Sequence, residues 1–175
     1  MNDRHSETVL DEQIVAVARR VVEANRAAGL TVAVAESCTG GLVGAALTEI
    51  AGSSDVFAAG IVTYSNEAKV SLLAVPADTI DTFGAVSSAT AWCMARGMLH
   101  ASGADVAIAI TGVAGPGGGT DRKPVGTVVF ARAIKGGVPD EIMADKRCFG
   151  DLGRGGIRRQ ATLVALELLM PGGDA

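Results

Sequence analysis

Two short segments of this chain, residues 31–36 (TVAVAE) and 105–111 (DVAIAIT), are apolar at successive interior positions rather than at alternate ones. A strand with two apolar faces can expose neither, so it must lie inside a sheet that is covered on both sides. That single requirement excludes an all-helical bundle and a one-faced antiparallel sheet. It calls for helices to do the covering, and the rest of the chain supplies them. Residues 11–29 carry Ile14, Val17, Ala18, Val21 and Val22 at helical spacing, and Gly29 is placed to stop the helix. Residues 42–50 continue in helical register after a glycine turn, and 66–73 form a short helix closed by Pro76. Ser87 or Ser88 caps a helix running to Ala101, with Ala91, Ala95 and Met98 inward and Gly103 at its end. A last helix spans 155–170, with Ile157, Ala161, Val164 and Leu168 on one face.

Further strands are expected at 56–64, 125–134 and 141–148, the last two joined by a Gly136-Gly137 turn. The 141–148 segment alternates charged and apolar residues, which marks a half-exposed or edge strand. Helices and strands alternate along the whole length, the pattern of a three-layer α/β/α domain. At 175 residues the chain makes one domain, spanning 1–175 with residues 1–10 as a tail. Aromatic residues are only 3% of the chain, so Ala, Val, Ile and Leu must build its core.

Composition narrows the function classes. A net charge of −4 lacks the basic footprint that nucleic-acid binding needs, and one Trp, one Tyr and four Phe give no platform for stacking bases. No apolar run reaches the ~18 residues of a membrane span, and the first residues lack the basic start and apolar stretch of a signal peptide. Cys38, Cys93 and Cys148 are odd in number and never form CxxC, so they read as reduced thiols of a cytoplasmic protein. With only His5 and His100, a zinc site is not expected.

In open α/β sheets ligands gather beyond the carboxyl ends of the strands, which directs attention to two loops. The first is Glu36-Ser37-Cys38-Thr39-Gly40-Gly41, ahead of the second helix. Its hydroxyls, thiol and free N–H groups suit a bound phosphate, or the oxyanion formed when Ser37 attacks an acyl group. The plainer alternative is that Ser37 or Thr39 caps the helix and the glycines relax the turn. The second loop runs from Gly112 to Gly119 and includes Gly115, Gly117 and Gly118. It has neither the Gly-Lys-Ser/Thr of a Walker motif nor the helix that follows a dinucleotide-binding turn, yet its amides could cradle a phosphate.

Three further groups stand out. Tyr64 is the only tyrosine and closes a strand, and Lys69 lies in the first turn of the helix begun by Ser65 or Asn66. A cation there opposes the helix dipole, which lowers a lysine pKa as a general base requires. Position alone favours a solvated lysine offset by Glu67. Arg154, Arg158 and Arg159 cluster at the start of the last helix, again against the dipole, where a bound phosphate or carboxylate would relieve them.

Taken together, AESCTGG (35–41), VTYSNEAK (62–69), GAVS (84–87), TGVAGPGGG (111–119) and KPVGTV (123–128) resemble the C-terminal domain of the competence-damage-inducible protein CinA. That family includes stand-alone nicotinamide-nucleotide amidases, and the likeness covers roughly residues 10 to 170. The resemblance implies a three-layer α/β/α sandwich with a mixed, mostly parallel sheet, no cofactor, and a homodimer or higher oligomer. It implies hydrolysis of nicotinamide mononucleotide to nicotinate mononucleotide and ammonia, with Ser37 as nucleophile, Lys69 as its base and Tyr64 in the proton network. Cys38, Thr39, Gly40, Gly41, Thr111, Gly115, Gly117, Gly118, Arg154 and Arg158 would contact the substrate, a small nucleotide. The family's Gly-Asp-Arg before the last helix is here Gly150-Asp151-Leu152-Gly153-Arg154, which puts the arginine two residues late. Two other readings use the same pocket: a catalytically silent nucleotide-binding module, and a hydrolase with Cys38 as nucleophile.

Overall fold

The computed structural model describes residues 10–137 and 143–172. The elements in chain order are α1 (Glu12–Ala28), β1 (Val32–Glu36), α2 (Leu42–Thr48), a 3-10 turn (Ser53–Asp55), β2 (Phe57–Val62) and α3 (Asn66–Leu73). Then come α4 (Ala77–Phe83), α5 (Ser88–Ser102), β3 (Val106–Gly112), β4 (Thr127–Ile134), β5 (Met143–Cys148) and α6 (Gly153–Leu168). The five strands form one sheet in the order β2-β1-β3-β4-β5. β1 pairs in parallel with both β2 and β3, and β4 runs antiparallel to both β3 and β5. Four of the five strands therefore share one direction, so the sheet is mixed and mostly parallel. β5 is an edge strand, as its alternating charges require, and the expected start of that strand at residue 141 lies outside the described residues.

Side-chain size separates the two faces of the sheet. Strand residues point alternately to opposite faces. Val32 and Val34 of β1, Val106, Ile108 and Ile110 of β3, and Val128 and Phe130 of β4 all pack against α1, α2 and α6. The interleaved residues, Ala33, Ala35, Ala107, Ala109, Ala131 and Ala133 with the larger Val129, face α3, α4 and α5. Large residues on one face leave room for three helices at ordinary distance, whereas the alanine face lets α5 seat Met94 and Met98 directly on the strands. This alternation explains how so large a core forms with few aromatic residues. It also brings helices close together on the alanine side, where a Cβ on Gly97 of α5 would lie 2.0 Å from the Leu73 carbonyl oxygen.

Two expectations change. Pro76 does not merely close α3: α3 ends at Leu73, Ala74 turns the chain with φ of 52°, and Pro76 is the cap that starts α4. α4 has seven residues with Ile80 alone buried, too few to produce a periodic signal. The last helix begins at Gly153 rather than 155, which places Arg154 inside its first turn.

Candidate active site

The strand alternation that sorts the core also sorts the residues at the end of β1. Glu36 follows Val32 and Val34 toward α2, while Ser37 follows Ala33 and Ala35 toward α3. β1 pairing persists one residue past its end, since the Ser37 N–H donates to the Ile110 carbonyl and the Thr63 N–H to the Glu36 carbonyl. Ser37 is thus fixed at the carboxyl edge of three parallel strands, with its hydroxyl on the alanine face.

Lys69 meets it there. The Lys69 ammonium nitrogen lies 3.2 Å from Ser37 Oγ, 2.9 Å from the Thr63 carbonyl oxygen and 3.5 Å from that of Ser65. Its exposure is 1%, so the solvated lysine favoured by position alone is not found. α3 is started by Ser65, whose hydroxyl accepts from the Ala68 N–H, and this cap turns the helix so that Lys69 points under the sheet edge. Burial lowers the Lys69 pKa below its ordinary 10.5, because the charged form loses hydration; the nearby Glu67 carboxylate opposes the shift.

The turn after Ser37 is built differently from the sequence expectation. Neither Ser37 nor Thr39 caps α2. Glu36, 1% exposed, accepts from the N–H groups of Gly41 (2.9 Å), Val43 (3.2 Å) and Gly44 (2.9 Å), and so serves as the cap from outside the helix. The Gly40 N–H closes a tight turn onto the Ser37 carbonyl at 3.0 Å. Gly40 and Gly41 have φ of 63° and 96°, conformations that a residue with a Cβ rarely adopts. Glu36 belongs to the loop that the sequence singles out, but the capping role expected there for Ser37 or Thr39 is its own.

A cavity of about 190 Å³ opens above Ser37. Ser37, Cys38 and Lys69 line it together with Ala85, Val86, Thr111, Gly112 and Ala114, and Tyr64, Asn66 and Arg154 complete the lining. Thr111 is buried and donates to the Ala85 carbonyl at 2.8 Å, tying β3 to the segment before α5. Arg154 reaches the cavity despite the longer 150–154 segment. Its guanidinium donates to the Tyr64 hydroxyl (2.9 Å) and the Gly115 carbonyl (2.8 Å). Tyr64 is 61% exposed, and its hydroxyl meets Arg154 rather than Ser37 or Lys69.

Other expected contacts lie elsewhere. Gly117 and Gly118 are exposed and outside the cavity lining; buried Thr39 is outside it too, and so are Gly40 and Gly41. Arg158 turns behind the 37–41 turn and donates to the carbonyls of Cys38 (3.2 Å) and Thr39 (2.9 Å). Arg159 leaves the region and pairs with Asp11 at the start of α1. Cys38 is buried, and loss of hydration pushes its thiol pKa up to about 11, which keeps it protonated at neutral pH. A larger cavity of about 380 Å³ lies against α5 and includes Trp92, Cys93 and His100. Cys93 and His100 are seven residues apart on one helix, roughly 10 Å, beyond the reach of a nucleophile–base hydrogen bond.

The comparisons with known proteins agree on the family and the fold. Residues 14–171 match the model of the CinA C-terminal domain. The chain is 48% identical over 160 residues to the nicotinamide-nucleotide amidohydrolase PncC of Escherichia coli, covering 91% of this chain and 94% of that protein. A CinA-like protein of Mycolicibacterium vanbaalenii is 47% identical over 169 residues, and there the chain spans only 39% of the relative's length. Among solved structures, the competence/damage inducible protein CihA of Agrobacterium tumefaciens superposes with a TM-score of 0.88 at 47% identity, covering 93% of this chain and 96% of that one. The chain belongs to the CinA C-terminal domain family.

Proposed function

We propose that this protein is an amidohydrolase that converts nicotinamide mononucleotide to nicotinate mononucleotide and ammonia through an acyl-enzyme on Ser37. The observation that carries the reading is the buried Lys69 nitrogen 3.2 Å from the Ser37 hydroxyl. The similarity to the Escherichia coli amidohydrolase supplies the substrate class.

The chemistry follows from the contacts. A neutral lysine amine has two hydrogens and one lone pair. The Thr63 and Ser65 carbonyls accept the hydrogens, which leaves the lone pair to receive the proton of Ser37. Ser37 Oγ forms a bond to the carboxamide carbon as its proton passes to Lys69, so the new charge falls on the carboxamide oxygen. Gly40 and Gly41 already donate to the Ser37 carbonyl and to Glu36, so the Cys38 and Thr39 N–H groups are the donors of the turn assigned to that oxyanion. The Lys69 ammonium returns the proton to the leaving nitrogen, and the C–N bond breaks to release ammonia. Water, deprotonated by Lys69, then cleaves the ester and restores Ser37. Arg154, beside Tyr64, is assigned to the substrate's phosphate, and Thr111 to the pocket wall. Protonated Cys38 is a poor nucleophile, which weighs against the thiol mechanism.

A binding module would need the pocket and Arg154 but no desolvated lysine against a serine. Incubating the purified protein with nicotinamide mononucleotide, nicotinamide riboside and nicotinamide separates the readings. Ammonia and nicotinate mononucleotide are expected in equal amounts from the first, with weaker turnover of the two that lack the phosphate. A folded protein that binds the nucleotide and releases no ammonia would leave only the binding module.

A further inference from the structure

We infer that Arg158 is a positioning residue that orients and polarises the oxyanion-binding amide from behind, and is not a ligand of the substrate; this rests on the acyl-enzyme reading above. Arg158 stands four residues after Arg154 on α6, one helical turn farther along, yet Arg154 bonds Tyr64 and the Gly115 carbonyl in the cavity, whereas Arg158 bonds the carbonyls of the turn after Ser37 and does not line the cavity. Arg154 lines the cavity. Arg158 passes behind Gly40, where a Cβ would lie 3.4 Å from its Nη2, and bonds the carbonyls of Cys38 and Thr39. The Cys38 carbonyl belongs to the same amide as the Thr39 N–H. In a trans amide these two groups point in opposite directions. A cation holding the oxygen on the rear side therefore directs the N–H to the front.

The turn itself fixes what the front faces. The Gly40 N–H returns to the Ser37 carbonyl, so Ser37 to Gly40 form a four-residue turn. In turns that begin with a serine, the N–H of the third residue, here Thr39, is the backbone donor within reach of the first side chain, here Ser37, and it is assigned to the oxyanion formed there. A charge-assisted hydrogen bond to the carbonyl also draws electron density from the amide and strengthens its N–H as a donor. The same contact turns the Thr39 carbonyl backward, which holds the Gly40 N–H on the Ser37 carbonyl. Glu36 secures the other end of the turn through Gly41. The nucleophile turn is thus held by the Glu36 carboxylate at Gly41 and by the Arg158 guanidinium at the Cys38 and Thr39 carbonyls, and of the two only the guanidinium acts on the Cys38–Thr39 amide.

The test compares Arg158→Ala, Arg158→Lys and, as a control, Arg159→Ala, whose guanidinium pairs with Asp11 away from the site. Steady-state ammonia release and the rate at which a fluorophosphonate labels Ser37 are measured on samples matched for folding by thermal melting. Loss of a whole oxyanion donor lowers kcat by roughly 100- to 1,000-fold, so loosening one should cost about 10- to 100-fold. Arg158→Ala is expected to lose that much in kcat and in labelling rate, with KM within about twofold. Added methylguanidinium should restore part of both, and Arg158→Lys should fall between. Arg159→Ala should match wild type. A rise in KM with kcat unchanged would make Arg158 a substrate ligand and overturn the inference, as would kcat and labelling rates equal to wild type. If Arg158→Ala fails to fold, Arg158→Lys carries the same comparison. Wild-type protein that is labelled at Ser37 but inert toward the nucleotide would overturn the substrate reading alone, and the labelling rates would still decide the role of Arg158. Absence of both activities in the wild type would remove the acyl-enzyme reading and this inference with it.

Discussion

Replacing Glu36 with Gln keeps the volume of the side chain and removes one acceptor and the charge. Glu36 Oε2 accepts from Gly41 and Val43, and Oε1 from Gly44. A glutamine can place its single carbonyl oxygen on the side that keeps two bonds, which sets its NH₂ against the Gly44 N–H. Each surviving bond falls from charge-assisted to neutral, a loss of about 1 kcal/mol apiece, and the orphaned Gly44 N–H adds about 1–3 kcal/mol. The sum is about 3–5 kcal/mol, a large share of the roughly 5–15 kcal/mol that holds a typical domain together. Urea denaturation followed by far-UV circular dichroism reads this directly as a lower midpoint with an unchanged slope. Because Gly41 directly follows the Ser37–Gly40 turn, ammonia release by the folded fraction should fall as well. A Glu36→Gln variant within about 0.5 kcal/mol of wild type, the range of an ordinary surface substitution, would refute the assignment of Glu36 as the cap of α2.

The pH behaviour of Lys69 follows from its burial. Activity should rise with pH through a limb lying below the ordinary lysine value of 10.5, since the amine must be neutral to take the Ser37 proton; a limb absent from Lys69→Met assigns it. The stability effect has its own sign. With the folded pKa below the unfolded one, the unfolded chain binds more protons between the two, so stability rises with pH across that window, and Lys69→Met, which removes the group, should flatten the rise in denaturation midpoints. Cys38→Ala should retain kcat within a few-fold, because a thiol with a pKa of about 11 is ionised in fewer than roughly one molecule in a thousand at neutral pH. Loss of turnover in folded Cys38→Ala with Ser37→Ala still active would reinstate the thiol mechanism.

Much of the fold was legible because β1 and β3 are apolar on both faces, a pattern with few solutions besides a covered sheet. The glycine stops at Gly29 and Gly103 and the edge character of β5 were equally local signals. α4 was not legible, since its single buried residue, Ile80, gives no period to detect. For the site, local sequence named Ser37 and Lys69 and only the family resemblance paired them: they are 32 residues apart, and Lys69 is buried by the way α3 docks on the alanine face. Arg158 and Arg159 are adjacent in sequence and were read as one cluster. About 100° apart around α6, they reach different partners, the nucleophile turn and Asp11. Glu36 stood in the singled-out loop without a role, because the hydroxyls of Ser37 and Thr39 are the usual caps, although only the carboxylate explains how α2 begins.

The central claim is that Ser37 and Lys69 act as one nucleophile. Ammonia release from nicotinamide mononucleotide tests it most directly, using wild type, Ser37→Ala, Lys69→Met and the double variant, each shown to be folded. Groups that act as a unit are strongly non-additive. Each single variant is therefore expected to lose about 1,000-fold or more in kcat, and the double variant to lose no more than either alone. Turnover by folded Ser37→Ala or Lys69→Met within about tenfold of wild type, or losses that multiply in the double variant, would contradict the account.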